Sequence, residues 1–258
     1  MKHLLWVGVV IAMVAGISSS ARAQSAVDEE ITLIAPGGIR AALEQLIPNF
    51  ERKTGNKVRA TFGSGGGTKD LVVRGGAFDV PIVQPPYPEV LASGNVVAES
   101  ATPLATVTVG VAVRQGAPKP DISTPDAVKR MLLAAKSISY PNAANGAAAG
   151  VSFNESLKKL SISEQMQPKI KLAQGGAGAM EAVAKGEVEI GLTFLSEMNQ
   201  PGIDVVGPLP REVLTPTALV GFVSSHAKDP AAAKALLEYL ASPEAAPVYR
   251  AHGMQPGS

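Results

Sequence analysis

Short apolar runs alternate along this chain with stretches whose apolar residues recur at helical spacing. Ile31-Thr32-Leu33-Ile34 reads as a strand, and Ala35-Pro36-Gly37-Gly38 turns the chain. Ile39, Leu43, Leu46, Ile47 and Phe50 then fall on one face of a helix, which Pro48 is expected to kink or shorten. Strands are predicted at 57–61 and 79–83, separated by a flexible turn at 62–67 and a short helix at 68–74. Beyond Pro103 a long Val- and Thr-rich strand is predicted at 104–113. Then come a helix at 124–135, a strand at 137–140, an Asn-, Ala- and Gly-rich loop at 141–150, and a helix ending near Leu160. Further strands are predicted at 169–172, 189–194 and 217–224, and helices at 179–185, 230–240 and 243–251. Strands and helices taken in turn predict an α/β fold.

The first 23 residues follow a different pattern. Lys2 and His3 precede an apolar run at 4–17 that is short for a membrane span, and Ala21-Arg22-Ala23 is a small-x-small cleavage site. Residues 1–23 are therefore predicted to be a signal peptide, leaving a chain that starts at Gln24. No later run is long enough to span a bilayer, so the expected location is the periplasm, in soluble form. The chain has no cysteine, which removes lipid anchoring, disulfides and thiolate metal sites. The leader holds Lys2 and Arg22 and no acidic residue, so its removal turns the formal charge from +1 to −1. That balance excludes a nucleic-acid footprint or a polybasic membrane anchor.

The informative chemistry lies in the glycines. Gly37-Gly38, the turn at 63–67 and the turn at 175–178 each open a helix, and an Ala/Gly-rich turn at 146–150 opens a fourth. A helix start offers unpaired N–H groups and a partial positive charge, and glycine lets a ligand approach that backbone. Several such turns around one cleft would make an anion site with few charged side chains.

Nucleotide and catalytic motifs fail on spacing. Thr68 stands where a P-loop from Gly63 needs glycine, and Thr68 and Glu181 break the dinucleotide pattern. Phe62 stands where a nucleophile elbow needs glycine. His226 and His252 have no metal-ligand spacing, so neither a metal nor a cofactor is expected. No catalytic pair is evident, and the chain is not expected to be an enzyme.

With these features the chain resembles the periplasmic molybdate-binding proteins of ABC transporters, over nearly its whole mature length. The likeness is clearest through Phe62-Gly-Ser-Gly-Gly-Gly-Thr68 and Arg74-Gly-Gly-Ala-Phe-Asp79, and extends to Ala148-Ala149-Gly150, Gly175-Gly176-Ala177 and Gly191-Leu-Thr-Phe194. It implies a two-lobed type II periplasmic binding fold with two hinge crossings, near 104–107 and 218–221. Lobe 1 would be 24–103 plus 219–258, and lobe 2 would be 104–218. It also implies capture of a small anionic ligand by hinge closure, a permease as partner and a monomeric state.

The ligand positions depart from the family. Its two oxyanion-binding serines fall on Gly38 and Gly65, beside Ser64, and its contacting tyrosine falls on Phe194. Its backbone donors fall on Ala149 and Gly176. Three lost hydrogen bonds to an anion, at about 1.5–3 kcal/mol each, predict weak oxyanion binding unless other groups compensate. The glycines predict a roomier pocket. Replacement donors near in sequence are Arg40, Ser64, Thr68, Lys69, Asn142 and Asn145, with Arg40 suited to gripping a carboxylate. The expected ligand is a molybdate- or tungstate-like oxyanion or a small organic carboxylate. A sensor role and an exported enzyme are the alternatives.

Overall fold

The computed structural model describes residues 30–257; the predicted leader and its cleavage point lie outside the described residues. The chain begins with β1 (Ile31–Pro36), α1 (Arg40–Thr54), β2 (Val58–Gly63), α2 (Gly65–Val73), β3 (Val80–Val83), α3 (Pro88–Ala92) and β4 (Thr102–Val107). It continues through β5 (Val109–Arg114), α4 (Pro125–Ala134), β6 (Ile138–Pro141), α5 (Ala148–Lys159), α6 (Ser163–Met166), β7 (Ile170–Ala173), α7 (Gly175–Ala184), β8 (Ile190–Phe194) and β9 (Ile203–Pro208). It closes with β10 (Thr217–Gly221), α8 (Pro230–Leu240), α9 (Ala246–Ala251) and β11 (Gln255–Pro256).

These strands form two sheets, ordered β11-β4-β10-β3-β1-β2 and β7-β6-β8-β5-β9. Helices cover each sheet, giving two α/β lobes. β1 is buried along its whole length, which suits a run that is apolar except for Thr32 and is flanked by parallel partners β2 and β3. Helix α1 packs the buried Leu43, Leu46 and Phe50 against this first sheet. It runs through Pro48 to Thr54 without being shortened. Pro48 lies on the exposed side, so the carbonyl it leaves unpaired at Glu44 is open to water, while the buried face holds the helix in place.

The strand expected at 104–113 is two strands in different sheets. β4 pairs with β10 and β5 pairs with β8, with only Thr108 between them. The Thr108 carbonyl accepts from the Leu195 N–H at 3.0 Å. The return passage runs between β9 and β10, and the expected crossing at 218–221 lies inside β10 itself. β9 was not anticipated, because Gly207 and Pro208 mask its strand pattern.

Asp79 pins the base of the first lobe. Its carboxylate accepts from the Thr32 N–H at 2.7 Å, the Thr32 hydroxyl at 2.6 Å and the Lys228 N–H at 2.8 Å. Burial pushes this carboxyl's pKa upward, but the hydrogen bonds from Thr32 and Lys228 outweigh it and hold the group below its ordinary value.

Candidate functional site

Four parallel βα units, two in each sheet, deliver a helix start to the same place. β1 and β2 end at Pro36 and Gly63, and α1 and α2 begin just beyond, α1 through a short 3-10 turn at Gly37–Ile39. β6 and β7 end at Pro141 and Ala173, followed by the starts of α5 and α7. All four turns line one cavity of about 530 Å³ between the lobes. This is the carboxyl-end crevice where open α/β sheets bind ligands.

The lobes are closed upon each other. The Gly66 N–H donates to the Gly146 carbonyl at 2.9 Å, and the Ser196 hydroxyl donates to the Gly38 carbonyl at 2.7 Å. Of the residues singled out from sequence, Gly37, Gly38, Arg40, Ser64, Gly65, Ala149, Gly176 and Phe194 all line the cavity. Asn145 does not; it is exposed on the turn Ala143–Asn145 and outside the lining, because that turn points its residues away from the start of α5. Asn142 is spent locally, accepting from the Ala144 N–H at 3.0 Å. Lys69 donates to the Pro86 carbonyl at 2.9 Å. Thr68 is buried behind the Gly63–Gly65 turn, outside the cavity lining, with its hydroxyl unpartnered among the described residues.

The glycines do not leave empty space. A Cβ on Gly38 would lie 3.1 Å from the Phe194 ring, which crosses from the opposite lobe. A Cβ on Gly65 would collide with the amide of Gln84. A Cβ on Gly176 would collide with the Glu197 carboxylate and the Thr193 hydroxyl. The expected roominess is thus taken up by an aromatic ring, an amide and a carboxyl group. Neither Gln84 nor Glu197 belongs to a motif. Their signal was indirect: Gly65 stands where the resemblance places a serine, and Gly176 where it places a backbone donor.

Gln84 is 3% exposed, and neither its amide nitrogen nor its oxygen has a partner among the described residues. A buried amide left unpaired costs about 1–3 kcal/mol, so a group from outside the chain is the natural partner. Ser64 caps α2 by accepting from the Gly67 N–H at 3.1 Å, which leaves its hydroxyl hydrogen free to donate. The Arg40 guanidinium lies 4.6 Å above the Phe62 ring centre. Stacking uses the face of the guanidinium and leaves its N–H edge available.

Glu197 reaches the helix starts of both lobes. Its carboxyl accepts from the Thr193 hydroxyl and from the Phe194 N–H, and one oxygen lies 3.5 Å from the place of a Cβ on Gly37. Part of the residue remains open to the cavity. Burial raises its pKa above the ordinary glutamate value, against the pull of its two hydrogen bonds. Arg40 and Glu197 are the ionisable residues in the lining.

Two sheets, paired crossings and a cleft of helix starts define a type II periplasmic binding fold. The chain belongs to the bacterial extracellular solute-binding protein family, whose model matches residues 31–255. Among its relatives, the molybdate-binding protein ModA of Azotobacter vinelandii is 30% identical over 250 residues, covering 95% of each chain. A protein of Pseudomonas sp named aconitate isomerase is 34% identical over 235 residues, covering 88% of this chain and 87% of its own. The solved periplasmic molybdate-binding protein of Azotobacter vinelandii superposes with a TM-score of 0.71 at 21% identity, covering 87% of this chain and 98% of that one. The family is one of binding proteins. Among the described residues, no helix is long and apolar enough to cross a membrane.

Proposed function

We propose that this protein is exported to the periplasm, loses its leader, and closes its two lobes on a small organic polycarboxylate. The observation that carries this reading is the filling of three glycine positions by Phe194, Gln84 and Glu197. An apolar ring, an amide and a carboxyl suit a ligand with a carbon skeleton and several polar ends. A compact oxyanion calls for a ring of hydroxyl donors instead. The cavity volume of about 530 Å³ falls within the range of about 300–1,000 Å³ usual for small organic ligands. In this reading the helix starts and Ser64 hold carboxylates through N–H and O–H groups, Gln84 supplies its amide, and Arg40 closes on an outer carboxylate. The name of the Pseudomonas relative supports a tricarboxylate.

The partner in this reading is the permease of an ABC transporter, which would accept the closed, monomeric form. A receptor reading the same closed form would make the protein a sensor.

A thermal-shift screen tests the ligand class, since a ligand that binds only the folded state raises Tm by mass action. Di- and tricarboxylates are expected to raise Tm by several degrees at millimolar concentration, and Arg40→Ala to remove most of that rise. A large shift with molybdate or tungstate and none with carboxylates would overturn the reading.

A further inference from the structure

The cleft holds one side chain that a passive anion trap has no use for. Anions are held by N–H donors, and a carboxyl placed among them repels a bound carboxylate whenever it is ionised. Yet Glu197 is held firmly in that place. Thr193 and Phe194 fix its carboxyl, Gly176 keeps its side clear by lacking a Cβ, and its other oxygen extends toward Gly37. The groups packed around it, Gly37, Gly176, Thr193 and Phe194, carry no ionisable side chain, and Arg40 is the other charged residue lining the cavity.

The geometry points to Glu197 as an acid–base catalytic residue that moves a proton along an unsaturated polycarboxylate held in the cleft. This inference rests on the polycarboxylate reading of the cleft. The substrate class is a polycarboxylic acid with a methylene group next to a carbon–carbon double bond. The ionised Glu197 takes a proton from the methylene carbon. The electron pair of that C–H bond becomes a new double bond to the central carbon. The electrons of the old double bond bind a proton delivered by Glu197 at the former vinyl carbon, the carboxyl exchanging its hydrogen with solvent between the two transfers. One C–H bond breaks and one forms, the double bond moves by one position, and no oxidant, reductant or water is consumed. A single carboxyl on one face of the planar three-carbon unit serves both ends. The helix starts at Gly37, Gly65, Ala148 and Gly176 face the substrate carboxylates, onto which negative charge spreads during the transfer. Burial supports the role, because a raised pKa makes the carboxylate a stronger base nearer neutral pH.

The experiment follows the protein with cis-aconitate in D2O by proton NMR, alongside the thermal shift with the same acid. Wild type is expected to exchange methylene and vinyl hydrogens for deuterium and to form the trans isomer. The rate should rise with pH along a limb lying above the ordinary glutamate range. Glu197→Gln should keep the thermal shift and lose at least about 100-fold of the exchange rate. Thr193→Val, which keeps the base but frees it from its anchor, should retain exchange and move the pH limb. The inference is overturned if wild type shows a thermal shift but no exchange above buffer, or if Glu197→Gln exchanges at the wild-type rate. Absence of any carboxylate thermal shift would overturn the binding reading itself.

Discussion

Gly66 and Gly146 meet backbone to backbone across the cleft, joined by a 2.9 Å hydrogen bond, and a Cβ on Gly66 would stand 3.0 Å from the Gly146 Cα. No flexible side chain lies between them to give way. Gly66→Val should therefore prop the lobes apart. Overpacking of this kind costs about 1–3 kcal/mol, which falls on the closed state and weakens ligand affinity by about 5- to 150-fold. Calorimetric titration should show the loss. Small-angle scattering should show a liganded radius of gyration larger than that of the wild type.

Gly176 and Glu197 should prove energetically coupled. Gly176→Ala forces the carboxyl and the Thr193 hydroxyl aside and should destabilise the protein by about 1–3 kcal/mol. In the background of Glu197→Ala part of that penalty should vanish, since one of the two obstructing groups is gone and the Thr193 hydroxyl loses the acceptor that fixes it. Urea unfolding of the two single variants and the double variant measures the coupling.

Gln84 is expected to separate stability from binding. Replacing an unpaired buried amide with the similarly sized Gln84→Leu relieves its desolvation cost, so the unliganded protein should gain about 1 kcal/mol. Ligand affinity should fall over the same substitution. A loss of stability in denaturant melts would show that the amide has a partner within the chain.

Two carboxyls should give opposite pH responses. The Asp79 carboxyl is held below its ordinary value, so its stabilisation is present above the unfolded-state pKa of about 3.9 and is lost as pH falls through the lower folded value. Asp79→Ala orphans the Thr32 and Lys228 N–H groups and should cost about 3 kcal/mol. Glu197 is raised, so its protonated form stabilises fully below the ordinary glutamate pKa, and that contribution is lost as pH rises through the folded value. Without ligand, Glu197→Gln should flatten this decline. Denaturant midpoints measured across the acid-to-neutral range, at fixed salt, test both signs.

The sequence exposed the fold more readily than the chemistry of the cleft. Alternating elements and the order of the Gly-rich turns were enough to anticipate two lobes, because β1, α1 and α2 owe their form to local periodicity and capping. A crossing was expected near 104–107, but Thr108 itself sits within one predicted strand because the Val- and Thr-rich pattern continues through it; only the pairing of β4 and β5 with different sheets divides the run. Arg40, Ser64 and the glycines were found because each sits on a recognisable helix start. Gln84 was legible in the Gln84-Pro85-Pro86 run as either a cleft-lining residue or a strand end at proline, and its place beside Gly65 favours the first; Glu197 was missed because it has no local pattern and reaches Gly37 from a distant part of the chain. Gly38, Gly65 and Phe194 stood out in the sequence as departures from the family pattern, but which side chains surround them depends on packing in three dimensions.

Thr108 has a mechanical consequence. With one residue between β4 and β5, neither sheet can slide along the other without breaking its own ladder at once, so relative motion is confined to rotation about a few backbone bonds at that point. The longer return at 209–216 has slack to follow. The two halves are thus built to swing about a single pin, and a rigid substitution there would change the angle of opening without touching the pocket wall.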